Sequence, residues 1–212
     1  MIRKLLSTAA AAIILVALSA VAHADTVTLT SINGTGVDAT VTNYSLVGNQ
    51  FTFTLTNTAT EPGATGTITN IGFDLAGDRG TFTLVSSTNP NYRVALDINA
   101  TAGAQNYANS FDLALLNGNS GTFGGGKVAN GIAPGTSATF TLSGDFSGLT
   151  AQQIAESIFA RFQAVNGGGS DVARNTTPPG PPIPEPATMV LLGTGLAGVA
   201  AKMRKRRKAE KE

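Results

Sequence analysis

Phe51-Thr52-Phe53-Thr54-Leu55-Thr56 alternates an aromatic or aliphatic side chain with a threonine hydroxyl at every step. In a pleated strand, successive side chains point to opposite faces, so this run turns Phe51, Phe53 and Leu55 to one side and Thr52, Thr54 and Thr56 to the other. That is a half-buried antiparallel strand with one dry and one wet face. The same rhythm returns where Phe82 and Leu84 alternate with Thr81 and Thr83, and where Ala138, Phe140 and Leu142 alternate with Ser137, Thr139 and Thr141. Further strands are predicted over 26–30, 37–47, 67–75, 92–98, 111–116 and 157–165. Turn dipeptides separate them: Asn33-Gly34, Gly48-Asn49, Pro62-Gly63, Asn117-Gly118 and Pro134-Gly135. About nine short strands at this spacing predict an all-β antiparallel β-sandwich over residues 25–176. One short helix is expected at 151–156, where Thr150 can cap the first turn and Gln153 can reach back in a capping box. All ten phenylalanines fall in this domain, most on the inward side of an alternating run, and are expected to form its core.

Composition narrows the chemistry. The chain has 212 residues, no cysteine, no tryptophan and a single histidine. Without cysteine there is no disulfide scaffold, thiolate metal site or thiol nucleophile. A domain of about 150 residues buries roughly 68–70% of its extended-chain surface, so it needs no such staple. Charged residues are only 13% of the chain, about half the roughly 25% of an ordinary globular protein. Between Asp25 and Ile183 there are five Lys/Arg against ten Asp/Glu, whereas residues 202–212 hold seven Lys/Arg against two acids. The acidic middle disfavours nucleic acid, which requires clustered cations on an exposed face.

Residues 1–24 read as a signal peptide. Arg3 and Lys4 precede an apolar run, and Ala22-His23-Ala24 is a small-x-small site for signal peptidase, defined by Ala22 and Ala24. Cleavage there removes the only histidine. At the other end, six of the nine prolines fall within 178–186, making 177–186 a Pro-rich linker. An uncharged apolar segment follows at 187–201, which as a helix spans roughly 22 Å, a marginal crossing of a ~30 Å hydrocarbon core. Lys202, Arg204, Lys205, Arg206, Arg207 and Lys208 then form a membrane stop signal, held in the cytoplasm by the positive-inside rule. The expected topology places the middle domain outside the inner membrane and the 202–212 tail inside.

Pro184-Glu185-Pro186, the glycine-rich apolar segment and the terminal Arg/Lys cluster together resemble the PEP-CTERM sorting signal of exported proteins in Gram-negative, exopolysaccharide-producing bacteria. The resemblance covers about the last thirty residues. It implies recognition by an exosortase, an integral-membrane cysteine peptidase that cuts near Pro184-Glu185-Pro186 and can transfer the new C-terminus to another molecule. It also implies that the mature product reaches the cell surface or matrix.

Other motifs resolve into structure. Gly193-Thr194-Gly195-Leu196-Ala197-Gly198 has G-x-G-x-x-G spacing but lies inside the apolar segment, with no strand before it. Residues 121–127 have G-x-x-x-x-G-K spacing, yet Val128 stands where a magnesium-binding Ser or Thr belongs, so a plain glycine-rich loop is expected. Only Glu61 and Glu156 represent glutamate in the domain, and paired catalytic carboxylates must face one cleft. No enzyme activity and no cofactor is expected. Asp74 and Asp78 are weak candidates for calcium, with Asp145 and Asp171 in Gly/Ser-rich loops. Thr-x-Thr begins at Thr26, Thr40, Thr52, Thr65, Thr81 and Thr139. Those uneven intervals argue against a repeated ice-binding array and fit the wet face of antiparallel sheets. The reading is a structural or adhesive surface protein, with a carbohydrate- or calcium-dependent binding module, such as one for exopolysaccharide, as the alternative.

Overall fold

The computed structural model describes residues 26–59, 64–77, 79–102, 105–108, 110–118 and 121–176. The chain divides into two units, Met1–Thr176 and Thr177–Glu212, and every described residue belongs to the first. The signal peptide with Ala22 and Ala24, the linker with Pro184, Glu185 and Pro186, the 187–201 segment and the basic cluster lie outside the described residues, as do Glu61 and Asp78. Among the described residues no helix is long and apolar enough to cross a membrane.

The strands are β1 (Val27–Ser31), β2 (Ala39–Val47), β3 (Gln50–Asn57), β4 (Thr67–Phe73), β5 (Thr83–Ser87), β6 (Tyr92–Ile98), β7 (Thr101–Ala102), β8 (Gln105–Asn106), β9 (Phe111–Asn117), β10 (Ser137–Ser143), β11 (Ile158–Val165) and β12 (Gly169–Arg174). One 3₁₀ turn covers Val128–Asn130, and the short helix α1 covers Ala151–Glu156. Thr150 caps α1 as its sequence requires: the Gln153 amide N–H donates to the Thr150 hydroxyl, and the Gln153 side-chain oxygen accepts from the Thr150 N–H at 2.9 Å.

The fold is all-β and antiparallel. Ten strands form one sheet in the order β5-β10-β3-β2-β1-β12-β11-β4-β9-β6, and β7 and β8 pair with each other. Hydrogen bonding therefore runs without a break from one half of the fold to the other. The continuity comes from β1, whose first residues pair with β2 (Val27 opposite Val41, Leu29 opposite Ala39) and whose last pair with β12 (Thr30 opposite Arg174, Ser31 opposite Ala173). The two edge strands, β5 and β6, are consecutive in sequence and joined by residues 88–91, so the sheet nearly closes on itself.

The alternation that predicted β3 sets the core. Phe51, Phe53 and Leu55 are fully buried while the threonines between them are half-exposed. Phe53 packs on Phe51, Phe73 and Phe140, with ring centroids 5.3 to 5.7 Å apart. All ten phenylalanines are buried. A second, smaller cluster of Ala100, Phe111, Phe123, Phe159 and Val172 is separate from the main core. Phe159 on β11 and Val172 on β12 alternate with Ile158, Ala160 and Ala173 of the main core, so the cluster covers the outer face of those two strands. Gly72 on β4 makes room for it: a Cβ there would stand 2.6 Å from the Phe111 ring.

Strand β12 departs from expectation. Gly167-Gly168-Gly169-Ser170-Asp171 reads as loop, but the turn is confined to residues 166–168, with Asn166 and Gly167 at φ +51 and +90, and the chain pairs again with β11 from Gly169 onward. Asp171 is thereby placed in a strand rather than in a loop.

Candidate functional site

Among the described residues, the acids named as calcium candidates, Asp74, Asp145 and Asp171, do not come together as a metal-ligand group, and Asp78 lies outside those residues. Asp74 lies at the exposed end of β4, and burial of its carboxyl, then the nearby Asp112, hold it above its ordinary pKa. Asp112 itself accepts the Leu75 N–H at 2.9 Å. Asp145 accepts the Ser147 N–H at 3.0 Å, and the hydrogen bonds from Ser147 lower its pKa, with Arg79 adding a smaller effect. Glu156 accepts from the Gln152 amide on the exposed side of α1. Among the described residues no three of His, Cys, Asp or Glu come together as metal ligands.

Among the described residues Asp171 is the one fully buried carboxylate. Burial pushes its pKa up, but four donors outweigh that and hold it below the ordinary value. The Ser31 and Thr35 hydroxyls donate to Oδ2 at 2.5 and 2.6 Å, while the Asn33 amide and the Val172 N–H donate to Oδ1 at 2.7 and 2.6 Å. A carboxylate ringed by donors is an anchor that ties the Asn33-Gly34 turn to β12. Sequence reasoning missed this set, because Ser31 and Asp171 are 140 residues apart and neither stands in a local motif. Arg161, on β11, is buried too; desolvation lowers its pKa, and its guanidinium donates to the Asp171 carbonyl at 3.4 Å.

The glycine-rich loop at 121–127 is held by its carbonyls. In β4, Thr69 is an extra residue between two that pair with β11, since Asn70 lies opposite Arg161 and Ile68 opposite Phe162. This bulge lets Ile68 and Ile71 both join the core while Thr69 and Asn70 together meet the loop. The Asn70 amide donates to the Phe123 and Gly125 carbonyls at 2.8 and 2.7 Å, and the Gln163 amide to Gly124 and Gly125 at 3.3 and 3.2 Å. Gly126 turns there at φ +120, and a Cβ on it would meet the Thr69 Cβ at 2.6 Å. A phosphate cradle needs free amide N–H groups aimed at one point; this loop spends its geometry on covering the second cluster.

The wet face of the opposite half brings together hydroxyls that the sequence scatters. Strand register sets Thr28, Thr40, Thr56 and Ser137 in one row, Thr42, Thr54 and Thr139 in the next, and Ser45, Thr52, Thr141 and Ser86 in a third. Hydroxyls bond across strands, Thr54 to Thr139 at 2.9 Å and Thr52 to Thr141 at 3.1 Å. None of these eleven positions carries a charge. The Thr-x-Thr units at Thr40, Thr52 and Thr139 thus lie side by side and the one at Thr26 adds Thr28, whereas those at Thr65 and Thr81 contribute nothing to the rows.

Comparison with known proteins bears on the other unit. The family model described as the PEP-CTERM protein-sorting motif matches residues 182–207. The match takes in Pro184, Glu185, Pro186 and five of the six basic residues of the stop signal, with Lys208 immediately after it. No curated protein and no solved structure matches the chain.

Proposed function

We propose, from the PEP-CTERM sorting motif that the chain carries at residues 182–207, that this protein is exported and sorted to the cell surface by an exosortase. The motif is the observation that carries the reading. Signal peptidase removes residues 1–24, the apolar 187–201 segment holds the protein transiently in the inner membrane, and Lys202 to Lys208 keep the tail in the cytoplasm. The exosortase then cuts near Pro184-Glu185-Pro186. Pro184 comes ten residues after Arg174, the last residue of β12, so the cut spares every paired strand.

The released domain serves as a structural or adhesive component of the surface or matrix of a Gram-negative, exopolysaccharide-producing cell. Two features support this over an enzyme. The mature chain lacks histidine and cysteine, and its buried polar side chains Asp171, Asn70 and Asn57 are engaged in holding loops and strands together. The test is an intact-mass and terminal-peptide measurement on the protein isolated from its host, with and without the exosortase gene. A chain that starts at Asp25 and ends near Pro186 only when the enzyme is present is the expected result. A tail reaching Glu212 in both strains would overturn the sorting reading.

A further inference from the structure

We infer that the threonine face of β2, β3 and β10 is a docking surface for a neutral, extended polysaccharide; this deepens the surface role proposed above and rests on it. Solvated faces of soluble domains intersperse charges, typically about 25–35% of surface positions, yet the eleven positions that register lines up in these three rows are all Ser or Thr, and the exposed residues at the two bulges beside them, Asn43 and Val85, are also uncharged. Adjacent strands stand about 4.8 Å apart, and outward residues along one strand about 6.5–7 Å apart, so the hydroxyls of β3 and β10 form a regular array, which the β2 bulge between Thr42 and Ser45 interrupts at its side. The cross-strand bonds between Thr54 and Thr139 and between Thr52 and Thr141 fix their side chains. Each bonded pair uses one donor and keeps one free, together with several acceptor lone pairs. Each threonine also carries a methyl group, which offers apolar contact.

That combination selects the occupant. A polymer laid across the strands meets one hydroxyl and one methyl at about the length of a sugar ring, which presents hydroxyls at its rim and C–H groups on its face. A polyanion finds no cation among the eleven positions. A second copy laid face to face would bury hydroxyls against hydroxyls with no apolar core to offset their desolvation. A flat ice plane fits poorly against a sheet that carries bulges in β2 and at the β10–β5 pairing.

The test uses the protein as isolated from its host, mixed with an insoluble neutral β-glucan and, separately, with polygalacturonate. The bound fraction is read by sedimentation. Retention on the neutral glucan is expected, and a quadruple variant with Thr52→Val, Thr54→Val, Thr139→Val and Thr141→Val should bind about tenfold or more weakly, since it removes four hydroxyl partners while keeping β-branched shape. The matching quadruple serine variant keeps the hydroxyls and should retain most binding, which separates loss of contacts from loss of fold. No retention on neutral glucan, equal retention of the valine variant, or retention on polygalacturonate alone would overturn the proposal. So would ice-shaping or self-association through this face without glucan binding. None of these outcomes bears on the terminal masses that test sorting.

Discussion

The two halves of the ten-stranded sheet solve the problem of a second face differently. From β5 to β2 the outer face is left to water, and the burial of β3 alternates residue by residue. From β12 to β9 the outer face is covered by chain, and all seven residues of β4 are buried. The wet half needs only hydroxyls outside. The covered half encloses polar groups that need partners: the amides of Asn70, Asn117 and Gln163 donate to loop carbonyls, while Asn117 Oδ1 and Arg161 Nε are buried with no hydrogen-bond partner among the described residues. A strand with one wet face is specified by its own period, whereas a strand with two dry faces is specified by what lies over it.

The largest effect should come from the core that both halves share. Phe53→Ala removes a ring packed on three others and should cost about 3–5 kcal/mol, read as a lower midpoint in denaturant with cooperative loss of both halves. Next is Asp171→Asn, which leaves one Oδ position with donors facing a donor. It should cost about 3 kcal/mol. Because the folded pKa of Asp171 lies below its unfolded value near 3.9, its stabilisation is present in full at neutral pH and is lost as pH falls below about 4 through the folded pKa. The variant should flatten that acid limb of the stability curve. Asp74 acts in the opposite sense, since its raised pKa makes ionisation unfavourable to the folded state as pH rises.

Gly126→Ala should sharpen the contrast. A Cβ there is strained by φ +120 and crowded by Thr69, so about 2 kcal/mol should be lost. The loss should appear in hydrogen exchange as faster opening of 121–131 and β4 while β3 and β10 keep their protection. Smallest of all, Thr54→Val on the wet face should leave stability within about 0.5 kcal/mol by thermal melting.

These expectations also mark where sequence reading ends. Period two found β3, β6 and β10 within a residue or so, and the Thr150 capping box located α1, because those signals act within a few residues. The strand expected from Thr81 begins at Thr83, although Phe82 is buried as the alternation requires. β12 escaped because a glycine run carries no apolar period, and its pairing is fixed by β1 and β11 rather than by its own side chains. The threonine rows escaped for a related reason: intervals along a chain say nothing about register between strands. The Asp171 anchor is a contact between the beginning and the end of the domain. The sorting signal, by contrast, is linear, and residues 182–207 can be read without any fold at all.

Strand β12 closes the sheet from its middle, seated between β1 and β11 although it is the last strand among the described residues. A nascent chain can assemble β2-β3 and β4-β9 early, but β1 and β11 each keep a bare edge until residues 169–174 arrive. Loop closure over some 140 residues makes that step slow. A chain halted short of Arg174 would present two unpaired strand edges to its neighbours, the pattern that seeds intermolecular pairing. Completion of the fold is therefore timed by the arrival of residues 169–174, which stand shortly before the sorting motif at residues 182–207.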